Sequence, residues 1–174
     1  MLLRKINAGI SLLITVLVMD HAIFHAVWML SRGSIEKTGN SFPMFVVMMA
    51  HAIISIVLAV LGHKGAEKRK CKSYANLNVT TVLQRTSGVL LIALTVLHIL
   101  GTVGVLQPPQ MVHAILPPLF FAFVLMHTAI STPKAFVTLG IGNAKFIKVL
   151  GIAMKVICVA TLIADVAGFY LYSV

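Results

Sequence analysis

A chain of 174 residues that is 59% hydrophobic and only 10% charged is too apolar for a soluble domain, where charged residues run near a quarter. Its net charge of +10 would suit a nucleic-acid partner, but the basic residues gather in the connections between apolar runs, which argues against that class and for a membrane topology. Neither cysteine has a spacing that suggests a metal site, there is no C-x-x-C-H, and Cys71 and Cys158 fall on a connection and inside an apolar run, so a disulfide is not expected.

Five apolar runs approach or exceed the roughly 18 to 20 residues that cross a ~30 Å hydrocarbon core as helix. They are residues 6–30, 44–61, 87–106, 111–130 and 149–171, and the expected fold class is an all-α membrane protein of five spanning helices. The first run is too long for the apolar region of a signal peptide and no small-residue cleavage site follows it, so it is expected to stay as a helix. With the N-terminus in the cytoplasm, Arg4, Lys5, the Lys64–Lys72 cluster, Arg85, Lys134, Lys145 and Lys148 fall inside and only Arg32 and Lys37 outside. That is the positive-inside bias, and it puts the C-terminus outside.

The first run carries Asp20, His21 and His25, the two histidines at i and i+4 on one helix face. A polar loop follows, and Asn40 or Ser41 with Pro43 just behind makes a reasonable start for the second run, which carries His51. The basic connection from Gly62 to Gln84 suits anionic headgroups or a docked partner. The third run is introduced by Gln84-Arg85-Thr86-Ser87-Gly88 and holds His98; Ser87, Thr95, Gly101 and Thr102 fall near His98 at helical spacing. Only Gln107-Pro108-Pro109-Gln110 separates the third run from the fourth, which makes those two helices antiparallel neighbours. The fourth opens with His113, contains Pro117-Pro118 and carries His127, and the fifth has Lys155 and Asp165 but no histidine.

Ionisable groups inside a bilayer are costly and usually functional. A single buried histidine can be a cross-helix hydrogen bond and nothing more. One histidine in each of four spans, His21 (with His25), His51, His98 and His127, with few carboxylates to relay protons, is better explained by metal ligation. Thiolates and carboxylates are too scarce for zinc or iron–sulfur sites. Haem needs only an imidazole on each side of the iron, so four imidazoles can hold two. Arg85, Lys134 and Lys148 are available to the anionic propionates, and Lys155 is expected to snorkel to the inner surface.

These residues resemble a family: the diheme cytochrome b membrane anchors of menaquinone-dependent succinate dehydrogenases and fumarate reductases. The likeness rests on Leu83, Gln84, Arg85, Ser87 and Gly88 followed by an apolar run to His98, on His127 followed by Phe136-Val137-Thr138 and Gly140-Ile141, on His51-Ala52, and on Gly9 leading to His21. The resemblance implies a single transmembrane cytochrome b domain over residues 1–174, an antiparallel bundle around two haems b. It pairs His21 with His98 on the haem farther from the cytoplasm and His51 with His127 on the nearer one, with Arg85, Ser87 and Lys134 as propionate candidates. His21 is preferred to His25 on the Gly9 spacing alone, and the choice stays open.

The resemblance further implies an electron-transfer subunit in the bacterial cytoplasmic membrane, passing electrons between menaquinone and a cytoplasmic iron–sulfur subunit that serves a flavoprotein, and not catalytic for succinate or fumarate by itself. His25, Asp20 and His113 are candidates for handling quinone protons. Rivals are a diheme anchor of another dehydrogenase or reductase, and a haem-free transporter with a histidine proton relay. Depth arithmetic at ~1.5 Å per residue sets His21 and His98 ~2–5 Å outward of their run centres. It sets His127 ~9 Å inward of its own centre while His51 is central, so that pair requires an offset or a tilt of about 20°.

Overall fold

The computed structural model describes residues 2–34, 42–68, 79–102, 104–105 and 110–173; the side chains of 62–68, 102, 110–114 and 172–173 lie outside the described set. The expected helix start at Asn40 or Ser41, most of the basic connection, and the Gln107-Pro108-Pro109 turn therefore lie outside the described residues. Five α-helices account for nearly everything else: α1 (Leu2–Leu30), α2 (Phe42–Lys68), α3 (Val79–Thr102), α4 (Gln110–Leu139) and α5 (Ala144–Ser173). There is no strand among the described residues. Each helix is long and apolar enough to cross a membrane, over Leu2–Leu30, Phe42–Leu61, Val79–Gly101, Ile115–Leu139 and Ala144–Leu171.

Pro43 takes the first turn of α2, where its missing N–H costs nothing. Three helices end in the same way. α1 closes on Arg32 and Gly33, α3 on Gly104 and α4 on Gly140, all at positive φ. At the end of α4, Ile141 N–H donates to the Phe136 carbonyl at 3.0 Å and Gly140 N–H to Val137 at 3.1 Å, the paired bonds of a left-handed cap in which glycine carries no steric penalty. Asn143 then opens α5 by accepting the Phe146 N–H at 2.9 Å.

α1 packs against α2, α4 and α5, and α4 packs also against α3 and α5. The seams are narrow and made of small groups. Along α1 the buried positions are Ala8, Ser11, Val18, Ala22 and Ala26, and along α5 they include Met154, Cys158, Thr161 and Asp165, spacings of three, four or seven residues that keep each set on one helix face. Phe121, Leu125 and Ala129 of α4 meet Ala22, Met154 and Cys158 in one cluster. With no hydrophobic effect between helices in lipid, close backbone approach and hydroxyl bonds hold such seams. Thr15 and Thr132 share a hydrogen bond at 3.0 Å between α1 and α4, and Asn7 Nδ2 donates to Ser55 Oγ at 3.2 Å between α1 and α2.

Several boundaries differ from the sequence-based spans, and two of them matter to the site. The Gln84–Gly88 stretch is not a threshold before the third helix but lies inside it, since α3 starts at Val79. The fourth helix does not stop at residue 130 but continues through Pro133 to Leu139, because Ser131 and Thr132 turn their hydroxyls back onto the Thr128 carbonyl and keep the polar segment helical. Over the full helices, His127 stands ~4 Å past the centre of α4 and His51 ~6 Å before the centre of α2. A depth offset of the kind expected between them therefore remains.

Candidate functional site

The predicted histidines fall into two neighbourhoods, both touching α4. In the first, His127 is seated on α3. Ser87 is 1% exposed; its Oγ lies 2.9 Å from His127 Nδ1 and 3.1 Å from the Gln84 carbonyl. The His127 ring also approaches the Gln84 backbone, and His51 of α2 is close enough to interact with it electrostatically. His51 approaches the Asn7 backbone, but its Nδ1 is buried without a hydrogen-bond partner among the described residues. His51 of α2 thus lies within electrostatic range of His127 of α4, the first beside α1 and the second on α3.

Two turns beyond His127 toward the helix end, Lys134 Nζ donates to Gln84 Oε1 at 2.8 Å, to Thr81 Oγ1 at 3.3 Å and to the Thr80 carbonyl at 3.3 Å. Arg85 lies near enough to Lys134 for the two cations to repel, and neither has an acidic partner among the described residues, where the one ion pair is His25–Asp165. Of the three propionate candidates, Lys134 and Arg85 are therefore neighbours at one end of α3. Ser87 is turned away from that end and onto His127. Lys148 and Lys155 are exposed on α5.

The second neighbourhood runs across the other half of α4. The His98 ring stacks on Phe120 at 4.9 Å between centroids, Phe120 meets Phe121 edge-on at 6.1 Å, and Phe121 stacks on His25 at 5.0 Å. His21 lies one turn back along α1, its ring 6.5 Å from that of His25. His98 and His25 therefore reach the same level of α4 through consecutive phenylalanines that point about 100° apart around the helix, with His21 one turn from His25. His98 stands about eight residues, ~12 Å along the axis, past the centre of its span; His21 stands about five, ~8 Å, past its own.

His25 Nδ1 is 2.6 Å from Asp165 Oδ1 of α5, and the Asp165 side chain is 3% exposed. Sequence reasoning missed this pair. It grouped His25 with Asp20, which is a near neighbour in the chain but is exposed on the opposite side of α1. The available signal was a lone acid inside an apolar run, which needs a cationic or N–H partner on another helix. The side chain of His113, the third quinone candidate, lies outside the described residues.

A haem held by two histidines asks of each ring one nitrogen with a free lone pair and the other engaged or fixed. The His51–His127 neighbourhood meets that requirement: His51 offers a buried nitrogen without a partner, and Ser87 engages Nδ1 of His127. Gly88 adds a cradle, since a Cβ there would stand 3.3 Å from His127 Cε1. No group of three or more His, Cys, Asp or Glu side chains converges as a metal cluster among the described residues. No family model, curated protein or solved structure matches the chain.

Proposed function

We propose that the chain is the membrane-anchor electron-transfer subunit of a succinate:quinone oxidoreductase, an antiparallel bundle binding two haems b. The observation that carries the reading is that His51 and His127 lie within electrostatic range of each other inside the spans, one with a buried nitrogen partnerless among the described residues and the other seated on Ser87. His51 and His127 would hold one haem, and His98 with an α1 histidine, His21 by the family likeness, the other. When bound, the haems supply one-electron transfer across the bilayer between menaquinone and a docked iron–sulfur subunit, which passes electrons to or from a flavoprotein.

The residues of this chain do the rest. The apolar seams keep water from the rings, and the adjacent cations of Lys134 and Arg85 are suited to the anionic edge of the nearer haem. They lie at the end assigned to the cytoplasm, with the N-terminus, by the positive-inside bias. His25 and Asp165, hydrogen-bonded between α1 and α5, are the groups best suited to exchange protons with a quinone in the outer half.

A menaquinol analogue added to the oxidised protein in proteoliposomes should reduce b-type absorbance; b-type haem that the quinol does not reduce would contradict the quinone part of the reading. The second reading, a haem-free transporter, is favoured by one observation, the buried His25–Asp165 pair, which is suited to a proton relay. It predicts proton-coupled uptake by a colourless protein.

A further inference from the structure

We propose that Ser87 and Gly88 form a seat that fixes both the tautomer and the plane of the His127 ring, making Ser87 a positioning residue for that ligand. The inference rests on the reading of His127 as an iron ligand. The Ser87 hydroxyl has a single proton. It stands 3.1 Å from the Gln84 carbonyl, which can only accept, and 2.9 Å from His127 Nδ1. With its proton committed to the carbonyl, the oxygen can only accept from the ring, so Nδ1 carries the N–H and Nε2 keeps its lone pair. The approach of the ring to the Gln84 backbone adds a second acceptor for an N–H. Ser87 is 1% exposed, so water does not compete for the bond.

Gly88 sets the plane. An added Cβ would be 3.3 Å from His127 Cε1, tighter than an ordinary van der Waals contact, so a side chain there would push the ring off α3. Two consecutive residues thus have separate tasks, one electronic and one steric, directed at a histidine 40 positions away. Generic small-residue packing would require neither the hydroxyl nor its orientation.

The test uses the full chain in detergent, with redox titration and low-spin ferric resonance spectra of Ser87→Ala, Ser87→Thr and Gly88→Ala. Ser87→Ala should raise the midpoint potential of one haem, because an imidazole whose N–H loses an acceptor donates less to ferric iron. The resonance of that haem alone should shift, and the affected haem should be the one lost in His127→Ala. Ser87→Thr retains the oxygen and should return both readouts toward wild type, while Gly88→Ala should disturb the same signal. Unchanged potentials and spectra in Ser87→Ala, or changes confined to the haem that survives His127→Ala, would overturn the proposal. A wild-type chain without haem would overturn the underlying reading instead. In that case the ¹⁵N shifts of His127 in the haem-free chain report the tautomer: a protonated Nδ1 supports the seat and a protonated Nε2 refutes it.

Discussion

Asp165 is buried on α5 and bonded to His25 at 2.6 Å, so its contribution is to be sought in coupling to that ring. In a double-mutant cycle of His25→Ala and Asp165→Ala, thermal unfolding in detergent should give a coupling of about 1–2 kcal/mol, the upper part of the range for polar pairs in membranes. The double variant should be less impaired than the sum of the singles, because each single leaves a buried polar group unmatched; strict additivity would mean the pair is not formed. Arg85 gives a second residue-scale expectation. Removing a cation beside a haem favours its oxidised form, so Arg85→Met should lower one midpoint potential in a redox titration, by less at high salt. No shift would remove Arg85 from the propionate assignment. At this scale the sequence made the histidines legible, since each interrupts an apolar run. The acid that meets His25 was not, because periodicity within one helix orders its own faces and says nothing about which neighbour a face meets.

At the scale of the element, α4 is the helix on which the account depends. It carries His127, Phe120, Phe121 and Lys134, and it touches α1, α3 and α5. Hydropathy located it but cut it short, because Ser131, Thr132, Pro133 and Lys134 read as an end signal, while back-bonded hydroxyls carry the helix to the Gly140 cap. The Gln84–Gly88 motif was legible as a unit, but its role was not: as a polar stretch it reads as a surface segment, whereas one residue of it, Ser87, is fully enclosed against α4. The α1–α5 seam offers an element-scale test at Gly168, where an added Cβ would come within 2.8 Å of Met29 Cβ and 3.2 Å of Leu30 N. Gly168→Ala should force these helices apart and cost about 1–3 kcal/mol of stability in detergent unfolding. A neutral effect would show that the seam is looser than the structure has it.

For the molecule as a whole, the five helices and the membrane character follow from composition and run length, because a continuous run of about 20 apolar residues satisfies its backbone in a bilayer as helix. The partner relations among helices do not follow from it. They rest on small-residue seams and hydroxyl bonds such as Thr15–Thr132, which a hydropathy pattern does not register. The central claim concerns the whole bundle: four spans supply imidazoles to two separate two-ligand sites. His98→Ala should then lose one of two haems and keep the other, and His51→Ala should lose the opposite one. The most direct measurement is the ratio of haem b to polypeptide in the purified full chain, read from its pyridine haemochrome spectrum. The account predicts two haems per chain, falling to one in either single variant. A wild-type chain with no haem b would contradict it.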